Sequence, residues 1–337
     1  MRLRTLKSLL FASAPCAVGG QAVLEGIMMR AKDRLAVAVR LPDGGIGVQS
    51  MPWFSLTKSS ILQKPFLRGF PILIETMVNG IKTLNLSARL AGVEEGEEIK
   101  SWHLVLTLLF SIGMALVLFV VLPHLFSIGM QALGVSGGLN SISFHAWDGL
   151  FKFSLFIGYI VAISFLPDIY RVFQYHGAEH KTIWAYEREV PLNAASAITM
   201  SRLHPRCGTT FLLFVLSIAI ILHTITVPAG LFFWTPESPV LKHAAVIVFK
   251  LFLMIPISAL AYELIKASSK IKQPLIGALL KSPGLFLQLL TTREPDEAQV
   301  EVALVALKEA LYTDAPEIET PAYQCLPIME DTHASQA

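Results

Sequence analysis

The sequence predicts a mainly α-helical, polytopic membrane protein with four transmembrane helices, a small N-terminal cytoplasmic α+β region and a cytoplasmic C-terminal helix. Composition is the first reason: 53% of the 337 residues are hydrophobic and 15% are charged, against about 25% charged residues in soluble domains. Four stretches of membrane length and an uneven distribution of basic residues between them are the second and third. A net charge of +2 argues against a nucleic-acid partner.

Residues 1–100 are interpreted as the cytoplasmic N-terminal region. Apolar residues alternate from Leu35 to Leu41, a Pro-Asp-Gly-Gly turn follows, and Ile46–Met51 can return, so the pattern predicts a hairpin over 35–51. Residues 69–90 change to a helical period. The predicted helix could pack on the strands or lie along the membrane surface. Its apolar face comprises Phe70, Leu73, Ile74, Met77, Val78, Ile81 and Leu84.

A transmembrane region is predicted over 101–265, because it contains four apolar segments near the roughly 20 residues that cross a bilayer. The second and fourth segments contain Lys152 and Lys250, whose long side chains we expect to reach the interface. The four predicted spans are Leu104–Leu122, Leu150–Pro167, Phe211–Gly230 and Ala244–Leu260.

The basic residues predict the orientation of these spans. Thirteen Lys and Arg precede the first span, residues 127–146 contain none, and loop 171–208 contains five. By the positive-inside rule, the protein is a multi-pass protein of the inner (cytoplasmic) membrane with loop 171–208 and both termini in the cytoplasm. Membrane lipids are the expected partners, and a homo-oligomer remains open.

The C-terminal part is predicted to be cytoplasmic helix over 266–312 followed by a disordered tail over 313–337. Pro295 and Asp296 suit a helix start, and Val300, Leu304, Leu307 and Leu311 form an apolar stripe. The tail lacks periodicity and contains three prolines.

The strongest chemical motif is His176-Gly-Ala-Glu-His180. Residues four apart share a helix face, so both imidazoles could bind one divalent metal, most naturally zinc. Glu179 would then act as general base, as in the inverted zinc-peptidase motif. A catalytic zinc needs about three protein ligands, and His204, Cys207 or Glu25 could supply the third. The alternative is a pair of interfacial histidines bonded to water or backbone.

Cys207 has two further interpretations. It precedes the third span, where helix amides, Arg206 and a protonated His204 would favour a thiolate nucleophile. It could equally be a small residue packed at a tight turn. Glu25 could pair with Arg30 instead of a metal, and Glu263 is a reserve ligand. Three distant cysteines indicate a reducing compartment rather than a disulfide framework.

Several segments resemble the bacterial YqhQ family, an uncharacterised membrane family described as predicted metal-dependent enzymes. The resemblance rests above all on the strings YHGAEHK, from Tyr175, and HPRCGT, from His204, and on Gly19–Arg30. It implies metal dependence but no particular reaction. One departure is Ala31-Lys32, where a turn containing glycine is expected. The other matching segments are Arg68–Ala88, Ala261–Ser268 and Pro283–Leu307.

Three functions are compatible with these patterns. The first is a metal-dependent hydrolase at the cytoplasmic membrane interface, acting on a membrane peptide or lipid. The second is a non-enzymatic scaffold or partner-binding protein in which the metal is structural. The third, a transporter, is suggested by Lys250, Glu263 and prolines within the spans, but no internal repeat supports it.

Overall fold

The computed structural model describes residues 16–92, 101–234, 236–268, 274–312 and 317–327. Its strands are β1 (Val18–Val23), β2 (Gly26–Ala31), β3 (Arg34–Arg40), β4 (Ile46–Pro52) and β5 (Gln324–Cys325). Its first helices are α1 (Gly69–Leu90), α2 (Ser101–Leu116), which continues through a π-helical turn (Val117–Val121) into α3 (Leu122–Ala132), α4 (Ile142–Ile163) and α5 (Pro167–Glu187). The remaining helices are α6 (Ala194–Ala197), α7 (Gly208–Phe233), α8 (Pro239–Phe252), α9 (Met254–Ser268), α10 (Pro274–Thr291) and α11 (Glu297–Leu311).

The sheet has the strand order β1-β2-β3-β4-β5, with β1 to β4 antiparallel and β5 parallel to β4. Strands β3 and β4 pair where the sequence predicts a hairpin. The β1–β2 hairpin was not predicted, because its glycine-rich sequence lacks clear alternation. Lys32, at the turn between β2 and β3, has a φ of 54°. This backbone favours glycine, which explains why a glycine is expected there.

Helix α11 is the centre of a module formed with the sheet and α5, here called the sheet module, rather than a helix with one apolar stripe. Asp296 caps it by accepting a hydrogen bond from the Gln299 amide. Its residues from Val302 to Leu307 are all buried because α5 and one face of the sheet enclose it. The other sheet face packs toward α1.

Helix α1 has its polar side inward. Glu75, Asn79, Thr83 and Ser87 are buried, whereas Met77, Ile81 and Leu84 are exposed. The buried side forms hydrogen bonds with the backbone of the preceding loop, because Glu75 accepts from the amides of Leu56 and Thr57. Helix α1 therefore packs on the strands, one of the two expected arrangements, but through this polar side together with Leu86 and Leu90 rather than through the predicted apolar face.

Four helical segments are long and apolar enough to cross a membrane by length and composition, in agreement with the predicted number. The predicted first span ended too early, since the helix passes through Pro123 to Ala132. The second span begins earlier than predicted because Ser141 caps α4. Lys152 and Lys250 do not reach an interface; both are buried beside Asp148. The segments are Leu109–Ala132, Ile142–Ile163, Gly208–Phe233 and Pro239–Ala267.

Part of the predicted disordered tail is ordered. Ile318 bridges Leu192, and Gln324 and Cys325 pair with the edge of β4. Unpaired backbone groups at a sheet edge readily take up another strand, a contact that local composition does not reveal. Disorder is therefore wrong for 317–327, while residues 313–316 and 328–337 lie outside the described residues.

Candidate metal centre

Two histidines and one cysteine meet where the helical bundle joins the sheet module. His176 and His180 lie one turn apart on α5, with ring centroids 4.5 Å apart. Cys207 is the N-cap of α7. One ligand atom from each of these three residues lies within 4.8 Å of the other two. The predicted pair of histidines is thus joined by Cys207, which is 31 positions from His176.

Backbone carbonyls fix the tautomers of both imidazoles. His176 Nδ1 is 2.8 Å from the Thr291 carbonyl oxygen, and His180 Nδ1 is 2.6 Å from that of Arg202. A carbonyl only accepts, so each Nδ1 carries the hydrogen and each Nε2 keeps its lone pair. Metal-binding histidines are oriented in this way. His176 Nε2 lies 3.1 Å from Cys207 Sγ, and His180 Nε2 is buried without a hydrogen-bond partner.

Cys207 is placed to act as a thiolate ligand. Its Sγ accepts a hydrogen bond from the Thr209 amide at 3.4 Å, and amides at a helix N-terminus favour negative charge. Two imidazole nitrogens and one thiolate are ligands that zinc binds well, and a tetrahedral ion held by three of them keeps one open position. The donor set therefore fits zinc.

Glu179 is buried against the N-terminal hairpin. A Cβ added at Gly20 would lie 2.9 Å from Glu179 Cδ, whereas one at Gly19 would meet nothing within 4 Å, so Gly20 alone allows the close approach of this side chain. Burial raises the pKa of Glu179, and His176 and His204 act in the opposite direction. The raised pKa indicates a carboxyl group that can exchange a proton nearer neutral pH than an exposed glutamate.

We expect Glu179→Gln to stabilise the metal-free protein at neutral pH by about 1 kcal/mol, because ionised Glu179 is costly to bury. A raised folded-state pKa means that stability is full below the unfolded value and is lost as pH rises through the folded one. The gain should therefore disappear as pH falls toward 4.5, the ordinary glutamate value. Thermal unfolding with chelator across pH measures it; equal wild-type and variant stability at every pH would contradict the buried charge.

His204 is close to the centre but is not aimed at it. Its Nδ1 accepts a hydrogen bond from the Arg206 amide at 3.3 Å, and its Nε2 faces Glu187 Oε2 at 3.4 Å. Burial lowers the pKa of His204 to about 4, so the ring is neutral. Cys207 completes the group of converging ligand atoms and His204 is not part of it, so the expectation that His204 supplies the third ligand is wrong in this geometry, although its Nε2 is buried without a hydrogen bond.

Glu25 and Glu263 are also held elsewhere. Glu25 Oε1 pairs with Arg171, and Glu25 Oε2 accepts a hydrogen bond from Tyr175 at 3.4 Å. Glu25 therefore serves neither as a metal ligand nor as the expected partner of Arg30. Glu263 pairs with Arg68 at 2.6 Å, which excludes it as the reserve ligand.

Comparison with known proteins identifies the family of this chain. The family described as "Protein of unknown function (DUF1385)" matches residues 64–313. The chain belongs to this family. It is also 36% identical over 318 residues to "Uncharacterized protein YqhQ" of Bacillus subtilis (strain 168), covering 89% of this chain and 94% of that protein. No solved structure matches the chain.

The family match contains His176, His180, Cys207 and their carbonyl partners, whereas Gly20 precedes it. The sequence did not point to those partners, since a backbone carbonyl has no residue signature.

Lys181 was also missed, although a lysine within YHGAEHK was a usable signal. It is buried, donates to the carbonyls of Ile198 and Met200 and pairs with Glu294 at 3.0 Å. Lys181 thereby holds the loop that brings the Arg202 carbonyl to His180.

A cavity of about 690 Å³ in this DUF1385 protein lies beside the centre rather than in it. It is lined by the end of α4, the first turns of α5 and the end of α10, including Arg171 and Arg293. None of the three ligand residues lines it. The cavity therefore carries no argument about what the metal centre acts on.

Proposed function

We propose that this DUF1385 protein is an integral protein of the bacterial inner membrane that holds zinc with His176, His180 and Cys207 and hydrolyses a substrate at the cytoplasmic interface. The single observation that carries the proposal is the convergence of two lone-pair Nε2 atoms and one sulfur. Three protein ligands with one open position are typical of catalytic rather than structural zinc.

Each residue of the site has a separate role in this proposal. When bound, zinc supplies a Lewis acid and lowers the pKa of a coordinated water to about 7. The carbonyls of Thr291 and Arg202 keep the histidine rings in the ligating orientation. Glu179 is the group that accepts a proton, because its raised pKa suits a general base near neutral pH. Cys207 is a ligand in this scheme rather than a nucleophile.

The membrane placement is supported by three features. Four helices have membrane-crossing length and composition, and basic residues alternate across their connections. Helix α1 adds the third: Met77, Ile81 and Leu84 are exposed, and Lys58, Lys64 and Lys82 of the same segment are exposed as well. The one acidic residue between 54 and 92, Glu75, is buried. An apolar, basic surface suits an anionic inner leaflet.

The substrate is proposed to be a membrane peptide or a lipid. Cys207 is at the first turn of α7, the third apolar helix. The metal centre therefore lies at the level where that helix leaves the bilayer. A soluble substrate would not require such a position.

Turnover tests the proposal directly. Zinc-loaded protein in vesicles of bacterial polar lipid, with and without a transmembrane peptide, should yield a hydrolysis product that mass spectrometry detects. Glu179→Gln should keep zinc and lower turnover by about 100-fold or more, because a general base typically contributes about 10²–10⁴-fold. Unchanged turnover in the variant would exclude Glu179 as the base, and equal product from the chelated wild type would exclude a metal hydrolase.

A structural metal is the second candidate, because the ligands join two parts of the molecule. His176 and His180 belong to α5, which packs in the sheet module, whereas Cys207 begins a long apolar helix. Cobalt substitution separates the two candidates. Azide should change the cobalt spectrum if a coordination position is open, and leave it unchanged if the site is closed.

A further inference from the structure

A second group of ionisable side chains is buried among the long apolar helices, apart from the metal ligands. Asp148 and Lys152 lie on α4 and Lys250 lies on α8, with exposed fractions of 1%, 6% and 2%. The Nζ atoms of Lys152 and Lys250 approach the same carboxylate oxygen, Asp148 Oδ2, at 3.3 and 2.9 Å. Such residues inside apolar helices point to a functional site.

The fixed charges of this group do not balance. Two ammonium groups share one carboxylate, which leaves one net positive charge in an apolar interior where uncompensated charge is strongly unfavourable. Glu263 is the other acidic residue of the four apolar segments, and it is paired with Arg68. The four described segments therefore offer no second carboxylate to this group.

Lys250 also lacks hydrogen bonds. An ammonium group has three N–H groups, and Lys250 Nζ, although 2.9 Å from Asp148 Oδ2, is buried without a hydrogen-bond partner among the described residues. His223 on α7 is 4% exposed and lies within electrostatic range of Asp148, Lys152 and Lys250, so its ring lines the same interior.

We propose that Lys152 and Lys250, beside His223, bind a small monovalent anion, with chloride as the probe. A water molecule would accept hydrogen bonds from the ammonium groups but would leave the charge. An anion supplies both the negative charge and the acceptor that Lys250 lacks.

Histidines connect this site to one end of the helices. His124 Nδ1 lies 4.0 Å from Asp148 Oδ1, and His124 Nε2 is 2.8 Å from Nδ1 of His243. His243, half-buried, lies in the second turn of α8. The anion therefore has a polar approach from the helix ends opposite the metal centre.

Halide-dependent stability tests the proposal. Full-length protein in detergent is unfolded thermally in chloride or in gluconate at equal ionic strength. Because a ligand that binds only the folded state stabilises it, chloride should raise the midpoint of the wild type by about 3 °C or more. Lys250→Met should abolish the rise. Lys242→Met, on the same helix but half-buried, is the matched control and should keep it.

Two further measurements keep the outcomes distinct. His176→Ala/His180→Ala should retain the chloride effect, so failure of the metal proposal does not affect this one. Chloride NMR line broadening by wild-type protein gives a readout that does not depend on the stability of a variant. No broadening, no chloride effect in the wild type, or an equal effect in Lys250→Met would overturn the site; a response to pH alone would show a proton site instead.

Discussion

Replacing His176 or His180 by alanine is expected to lower zinc affinity by at least about 100-fold, the upper range for removing a residue that only supports a ligand. Two of three ligands would remain, and neither Glu25, which pairs with Arg171, nor His204 belongs to the group of converging ligand atoms. Elemental analysis of purified protein should find about one zinc per chain in the wild type and almost none in either variant.

His204→Ala is the control for this experiment. It also removes an imidazole near the centre, yet His204 lies outside the group of converging ligand atoms. Zinc content should therefore stay near the wild-type value. If His204→Ala lost the metal as completely as His176→Ala, the third ligand would be His204. Cys207→Ser should remove the sulfur-to-metal band of the cobalt protein, since Cys207 supplies the sulfur at this centre.

Gly177→Ala should destabilise the protein by about 2–3 kcal/mol, the upper part of the range of about 1–3 kcal/mol for overpacking a tight contact. Alanine normally stabilises a helix relative to glycine by about 1 kcal/mol. At position 177, however, a Cβ would overlap the carbonyl oxygen of Arg293 and lie 3.3 Å from Pro295 Cδ. The obstacle is backbone and cannot turn away. Chemical denaturation monitored by tryptophan fluorescence measures the change.

Gly158→Ala provides the matched control. Gly158 is also within a helix, α4, and a Cβ there would meet no atom within 4 Å. This variant should therefore be neutral or more stable. Gly177→Ala should in addition weaken zinc binding, because Arg293 follows the Thr291 carbonyl that orients His176. Equal stabilities of the two variants would show that α5 does not need the close approach at Gly177.

Local pattern was sufficient for elements whose side chains repeat with a regular period. Four apolar segments were predicted and four are present, and the alternation at 35–51 matches β3 and β4. Pattern was insufficient for α1, because it left two arrangements open for the apolar face, packing on the strands or lying along the membrane surface. The face is outward because Glu75 and Asn79 satisfy backbone groups of residues 54–57. Those backbone groups belong to a loop outside the helix, so the pattern within the helix does not reveal them.

By itself, the sequence determined the four apolar segments and the shared helix face of His176 and His180, because both depend on the spacing of residues within one helix. Only the tertiary structure decided that Cys207, rather than His204 or Glu25, joins the histidines. It also showed that Lys152 and Lys250 converge on Asp148. These contacts depend on which side chains and carbonyls, distant in sequence, form hydrogen bonds or ion pairs with each polar atom. Those partners come within reach only after the helices have packed.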